Sequence, residues 1–192
     1  MSLRHRLWPN WPPGHDPHTT LWDLWESVQQ EFPDRVMGID RFPANVSDSH
    51  RYAPLELSYR VDRHAQFDSV AQRFLQVLDL LWVYGPTYAE TQHPYEDSLD
   101  ELESPLRETV ENLLARPKDE PLPLERVDDH EMFRNLATLG VRGIVPSVFV
   151  FAAHDMVLWQ NEVSHTLVYL GQLDYLPTLQ IICTTSGLFL RR

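Results

Sequence analysis

The stretch from Gly143 to Leu190 most constrains what this chain can fold into. It reads as four or five β-strands in succession, at residues 144–151, 156–159, 165–170, 178–183 and 188–190. Each is a short apolar run bounded by turn residues. Ala153-His154-Asp155 would turn the first pair, and Ser186-Gly187 is a hairpin signal for the last. A sheet of this kind needs helices to cover a face, and the rest of the chain supplies them.

Leu21, Leu24, Trp25, Val28 and Phe32 recur on one helical face, with Thr19 or Thr20 as the cap and Pro33 as the stop. Residues 35–42 predict a short strand. The clean alternation over 55–61 predicts another, half-buried. Asp62 can cap a long helix over 63–82, whose apolar stripe includes Phe67, Phe74, Leu78 and Leu81. Residues 87–97 read as a polar loop. Ser98 with Glu101 is a capping-box pattern opening a helix to about 116, and Pro105 either kinks it or restarts it at Ser104-Pro105. Residues 117–127 hold three prolines and read as a linker. Asp128 with Glu131 would open a short helix that Gly140 ends.

The expected fold is therefore α+β. A mainly antiparallel sheet, with a C-terminal meander of four to five strands, packs with about three helices at 20–32, 63–82 and 98–116. Residues 1–19 are expected to form an irregular Trp/Pro-rich arm; if Trp8 and Trp11 do not pack back, they and the sheet edge would mediate self-association, and a structural self-associating subunit is one alternative function. Residues 20–192 form a single domain. A chain of 192 residues can bury roughly 70% of its unfolded surface, enough for a core without metals or disulfides. Cys183 is the only cysteine, so no intramolecular disulfide is possible, and its apolar surroundings mark a buried, inert thiol. No signal-peptide pattern and no apolar run long enough to span a membrane is present, so a cytoplasmic setting is expected.

Net charge is −12, and it is concentrated. Between Glu96 and Glu131 there are 13 acidic residues against four basic ones, a net of −9. Such a surface repels a nucleic-acid backbone and attracts a basic protein. The partner-binding candidates are Glu96, Asp97, Asp100, Glu101, Glu103, Asp119, Glu120, Asp128 and Asp129. Tyr84, Tyr88 and Tyr95 are candidate exposed anchors. The leading expectation is an acidic protein-binding module, such as an immunity or inhibitor protein that docks a basic partner like a nuclease toxin. Neither direct nucleic-acid binding nor membrane binding is expected.

An alternative is a small hydrolase or transferase using His154, Asp155 and His165, with Asn161 and Glu162 nearby. The same residues are also ordinary turn chemistry. His15 and His18 flank Asp16 but lack a further fixed ligand for zinc. Only seven glycines are present, with no phosphate-cradling loop and no Gly-x-Ser-x-Gly elbow, so neither a nucleotide fingerprint nor that hydrolase signature occurs. No cofactor and no metal is expected.

Overall fold

The computed structural model describes residues 19–43, 65–94, 102–117, 123–161 and 165–192. The expected strand at 55–61, the Asp62 and Ser98 caps, and all but the last residue of the N-terminal arm lie outside them. Among the described residues, seven strands form one antiparallel sheet: β1 (Val36–Asp40), β2 (Thr87–Thr91), β3 (Glu125–Arg126), β4 (Ser147–Phe151), β5 (Met156–Asn161), β6 (His165–Leu170) and β7 (Phe189–Arg191). Their order is β3-β2-β4-β5-β6-β1-β7. The fold is α+β, as the sequence predicts. β4, β5 and β6 form a meander in register, with Phe149 opposite Leu158 and Leu158 opposite Val168.

The described residues form five helices: α1 (Trp25–Glu31), α2 (Ala65–Trp82), α3 (Ser104–Leu114), α4 (His130–Val141) and α5 (Leu176–Thr185). A 3₁₀ turn at Trp22–Leu24 leads into α1. Among the described residues, no helix is long and apolar enough to cross a membrane.

The sheet has two buried faces, and period-2 alternation assigns each residue to one of them. On the first face, Met37, Ile39, Ala89, Phe149, Phe151, Met156, Leu158 and Val168 share one core with the apolar stripes of α2, α3, α4 and α5. Phe133 of α4 sits at its centre with no exposed surface, its ring edge-on to Phe149 at 5.3 Å. On the second face, Val36, Val148, Val150, Val157, Trp159 and Tyr169 pack with Leu21, Leu24 and Val28. Covering for both faces is required because β4 and β5 are buried at nearly every position. Strands apolar at both parities cannot leave one side in water.

Polar contacts tie the elements together. The Trp159 indole N–H donates to the Leu21 carbonyl at 2.8 Å, and Glu90, itself fully buried, accepts from the Trp22 amide at 3.0 Å. Asp79 of α2 clamps α4 through Arg134 and through His130 at 3.1 Å.

Several expectations are corrected. Residues 178–183 are not a strand but the body of α5. Pro177 sits in the helix's first turn, where its missing N–H costs nothing. Leu179, Ile182 and Cys183 are buried while Ile181 is 64% exposed, which is helical and not alternating spacing. Ser186-Gly187 accordingly ends a helix and does not turn a hairpin. Gly187 has φ +73°, its amide bonds the Thr184 carbonyl and the next amide bonds Cys183, closing a Schellman cap. The last strand, β7, pairs with β1.

Residues 87–91 are a strand, because the backbone ladders to β3 and β4 and contacts such as Glu90 to Trp22 satisfy their polar groups. The presumed linker contains β3, flanked by buried Leu124 and Val127. α3 does restart near Pro105, with Glu103 at the N-cap position. α4 is capped by Asp129, one residue later than expected, its carboxylate accepting from the Met132 amide at 2.7 Å. Gly140 lies inside α4, where a Cβ would stand 3.1 Å from the Gln160 side chain, so it serves close packing and not termination.

Candidate functional site

The edge of the sheet at β3 meets α3 and α4 in an open groove of about 430 Å³. Its making follows from local sequence. Pro105 starts α3, Asp129 starts α4, and the short β3 between them adds to β2 for two residues only. The space left between the three is floored by Ala89, Leu113, Val127 and Leu136 and rimmed by Glu125, Asp128 and Asp129 together with Arg116 and Arg126. Met132 lines it as well and is 44% exposed. A flexible thioether at the mouth of an apolar groove is adaptable contact surface.

Seven described acidic residues lie between Glu103 and Glu131, and all seven are exposed: Glu103, Glu108, Glu111, Glu125, Asp128, Asp129 and Glu131. Arg116 pairs with Glu125 at 3.3 Å and Arg126 with Asp128 at 2.6 Å, which accounts for two of them. The surface of α3, β3 and the start of α4 is therefore acidic around an apolar floor. Of the candidate binding residues, Glu103, Asp128 and Asp129 are placed on this surface. Glu96, Asp97, Asp100, Glu101, Asp119, Glu120 and Tyr95 lie outside the described residues. Tyr84 is 52% exposed, just past the end of α2, where Trp82 packs against His130 at 4.8 Å. Tyr88 is half-buried against the second-face core and so is not an exposed anchor. It projects to that face because β2 alternates, with Ala89 on the other side. Met132 and the groove floor were not legible as a site, since they are separated in sequence and look like ordinary core residues.

The His154–Asp155 corner has a different character. A 3₁₀ turn at Ala152–His154 and a left-handed Asp155 (φ 48°) join β4 to β5. The His154 ring stacks on Tyr175 at 3.8 Å, and the Tyr84 ring meets it edge-on at 5.5 Å. Its Nε2 is buried without a hydrogen-bond partner, and burial lowers its pKa. Asp155 turns instead toward Gly171, whose amide bonds the Asp155 carbonyl at 2.7 Å. Burial raises the Asp155 carboxyl, and the Arg35 charge pulls the other way. The Tyr175 phenol is pushed up to about 12 by burial and by Tyr84.

His154 and Asp155 thus face separate partners and form no hydrogen-bonded acid–base pair. His165 sits at the other end of the β5–β6 hairpin: it is opposite Asn161, whereas Leu170 is opposite Met156 beside the corner. Five strand residues place its backbone about 16 Å away. A general base must reach its proton within hydrogen-bond distance, directly or through one water, and this trio does not converge. The two His residues mark opposite ends of the β5–β6 pair. Cys183 is fully buried in α5, and burial pushes its thiol up to about 12, which makes it a poor nucleophile. Among the described residues, no three His, Cys, Asp or Glu side chains are grouped to hold a metal ion.

Comparison with known proteins gives no match: no protein-family model, no curated protein and no solved structure is similar to the chain.

Proposed function

We propose that the chain is an acidic protein-binding module that docks a basic partner in the groove between α3, β3 and α4. The carrying observation is an apolar-floored groove set in a surface where all seven described acidic side chains between Glu103 and Glu131 are exposed, two of them paired with the arginines Arg116 and Arg126 that also line the groove. Arg and Lys have an aliphatic stem and a cationic head. The floor suits the first and the acidic surface around the groove the second. Crowded surface carboxylates repel one another in the free protein, and a cationic surface relieves that repulsion. The same field steers a basic partner and speeds its association. Occupying a cationic surface blocks whatever that surface binds. The module acts as an inhibitor in this reading, of the kind an immunity protein is for a nuclease toxin, in a cytoplasmic setting.

The test is capture from host lysate on the immobilised protein at low and high salt, alongside a Glu125→Lys/Asp128→Lys variant. One basic protein is expected at low salt, depleted at high salt and lost from the variant. Equal capture by the variant and the wild type would overturn the assignment of this groove.

A further inference from the structure

A second concave site lies on the opposite face of the sheet, independent of the acidic groove. Four residues stand there in one cross-strand row: Trp159, Leu167, Gly38 and Arg191, on β5, β6, β1 and β7. Adjacent strands are about 4.8 Å apart, so the row is about 14 Å long. It floors an open cavity of about 440 Å³. Trp22, Trp25 and Gln29 wall it, spaced as one helical face beside the buried stripe of Leu21, Leu24 and Val28.

Polar groups are built into the rim. Arg191 pairs with Asp40 at 3.0 Å, and the second Asp40 oxygen accepts from the Phe42 amide at 3.0 Å. The carboxylate is thereby held in one orientation. Asn161, two residues beyond Trp159, lines the other end.

Gly38 is the second observation. A glycine inside a strand weakens it and marks a place where something approaches the backbone closely. Its φ is not positive, and an added Cβ would meet only the Thr166 carbonyl oxygen, at 4.0 Å. Neither backbone conformation nor packing among the described residues asks for glycine there. What its missing side chain does is keep the groove floor open between Leu167 and Arg191.

We propose that this groove binds a short neutral oligosaccharide, its rings laid on the Trp22 and Trp25 indoles and its hydroxyls bonded by Asp40, Arg191, Asn161 and Gln29. A pyranose presents C–H groups on its faces, and an indole face is the negative side of its quadrupole. A hydroxyl both donates and accepts, and the rim offers a carboxylate, a guanidinium and two carboxamides that together do both. The charges of Asp40 and Arg191 cancel, so the rim selects no ion. A phosphorylated or sulfated ligand would approach a protein of net charge −12. A planar heterocycle bonds only along its in-plane edge, whereas a sugar presents hydroxyls all around its ring. The volume lies in the usual range of small-ligand sites.

The test is a tryptophan-emission titration with maltotriose, cellotriose and chitotriose, with adenosine as the comparison ligand. At least one trisaccharide should give a saturable shift, weakened about tenfold or more in both Gly38→Val and Trp25→Ala. Gly38→Val suits a strand, so its circular dichroism and melting temperature should match or exceed the wild type, which separates lost binding from lost fold. Should that variant fail to fold, Asn161→Ala replaces it and carries the same expectation. No shift with any of the three sugars, a shift with adenosine alone, or undiminished sugar binding by the folded variants would overturn the proposal.

Discussion

The two faces of this sheet are covered in different ways. Four helices close the first face, and its core is apolar volume: Phe74, Phe133, Leu139, Phe149 and Phe151 are each at most 2% exposed. Among the described residues, the second face has one short helical segment, fastened in part by hydrogen bonds from Trp159 to Leu21 and from Trp22 to Glu90. Beside that segment the described residues leave the sheet open. One face is therefore held by packing that tolerates little change in volume. The other is held by a few apolar anchors and directional polar ties, and it has room to spare.

The largest effect should separate the faces outright. Phe133→Ala removes a fully buried ring from the first face and should cost about 3–5 kcal/mol in denaturant unfolding. Trp25→Ala removes a half-buried ring from the second and should cost about 1 kcal/mol. Equal losses would break the comparison. Trp159→Phe sharpens it: the aromatic volume is largely kept, and the Leu21 carbonyl loses the indole donor while keeping the Leu24 amide. About 1–2 kcal/mol should be lost. Amide exchange should accelerate in α1 and not in α4.

A smaller effect concerns pH at the corner joining β4 to β5. His154 is lowered by burial, so its contribution is complete above the ordinary imidazole value of 6.5 and is lost as pH falls through the folded value. Asp155 is raised, so its contribution is complete below 3.8 and is lost as pH rises through the folded value. Ionised Asp155 is thus a net burden at neutral pH. Asp155→Asn should raise the melting temperature at pH 7, since Asn also tolerates left-handed backbone. His154→Phe should flatten the decline in stability below pH 6.5. A melting temperature lowered by Asp155→Asn would count against burial as the dominant influence on that carboxyl. The smallest effect on the fold should come from the acidic rim. Reversing Glu103, Glu125 and Asp128 to Lys should change stability by about 0.5 kcal/mol or less, because exposed pairs contribute little.

What the sequence shows follows the same division. The meander was legible because β4, β5 and β6 carry long apolar runs between turn residues. α2 was legible from its wide stripe. α5 was misread because Ile181, Ile182 and the neighbouring threonines carry strand-like composition, and composition outweighed the Pro177 and Gly187 punctuation. β2 reads as a loop because its polar residues, Thr87, Glu90 and Thr91, are buried, and Glu90 is met by the Trp22 amide from a distant part of the chain. Charge density pointed to the acidic surface, but not to its apolar floor. The tryptophan groove draws on α1, β1, β5, β6 and β7, so no local pattern announces it.

The most direct test of the docking account is an amide-shift titration of the labelled protein with an arginine-rich peptide. We expect shifts centred on Leu113, Arg126, Val127 and Met132, absent at Trp25 and Trp159, and abolished by high salt. Shifts centred on the second face, or shifts that persist unchanged at high salt, would contradict it.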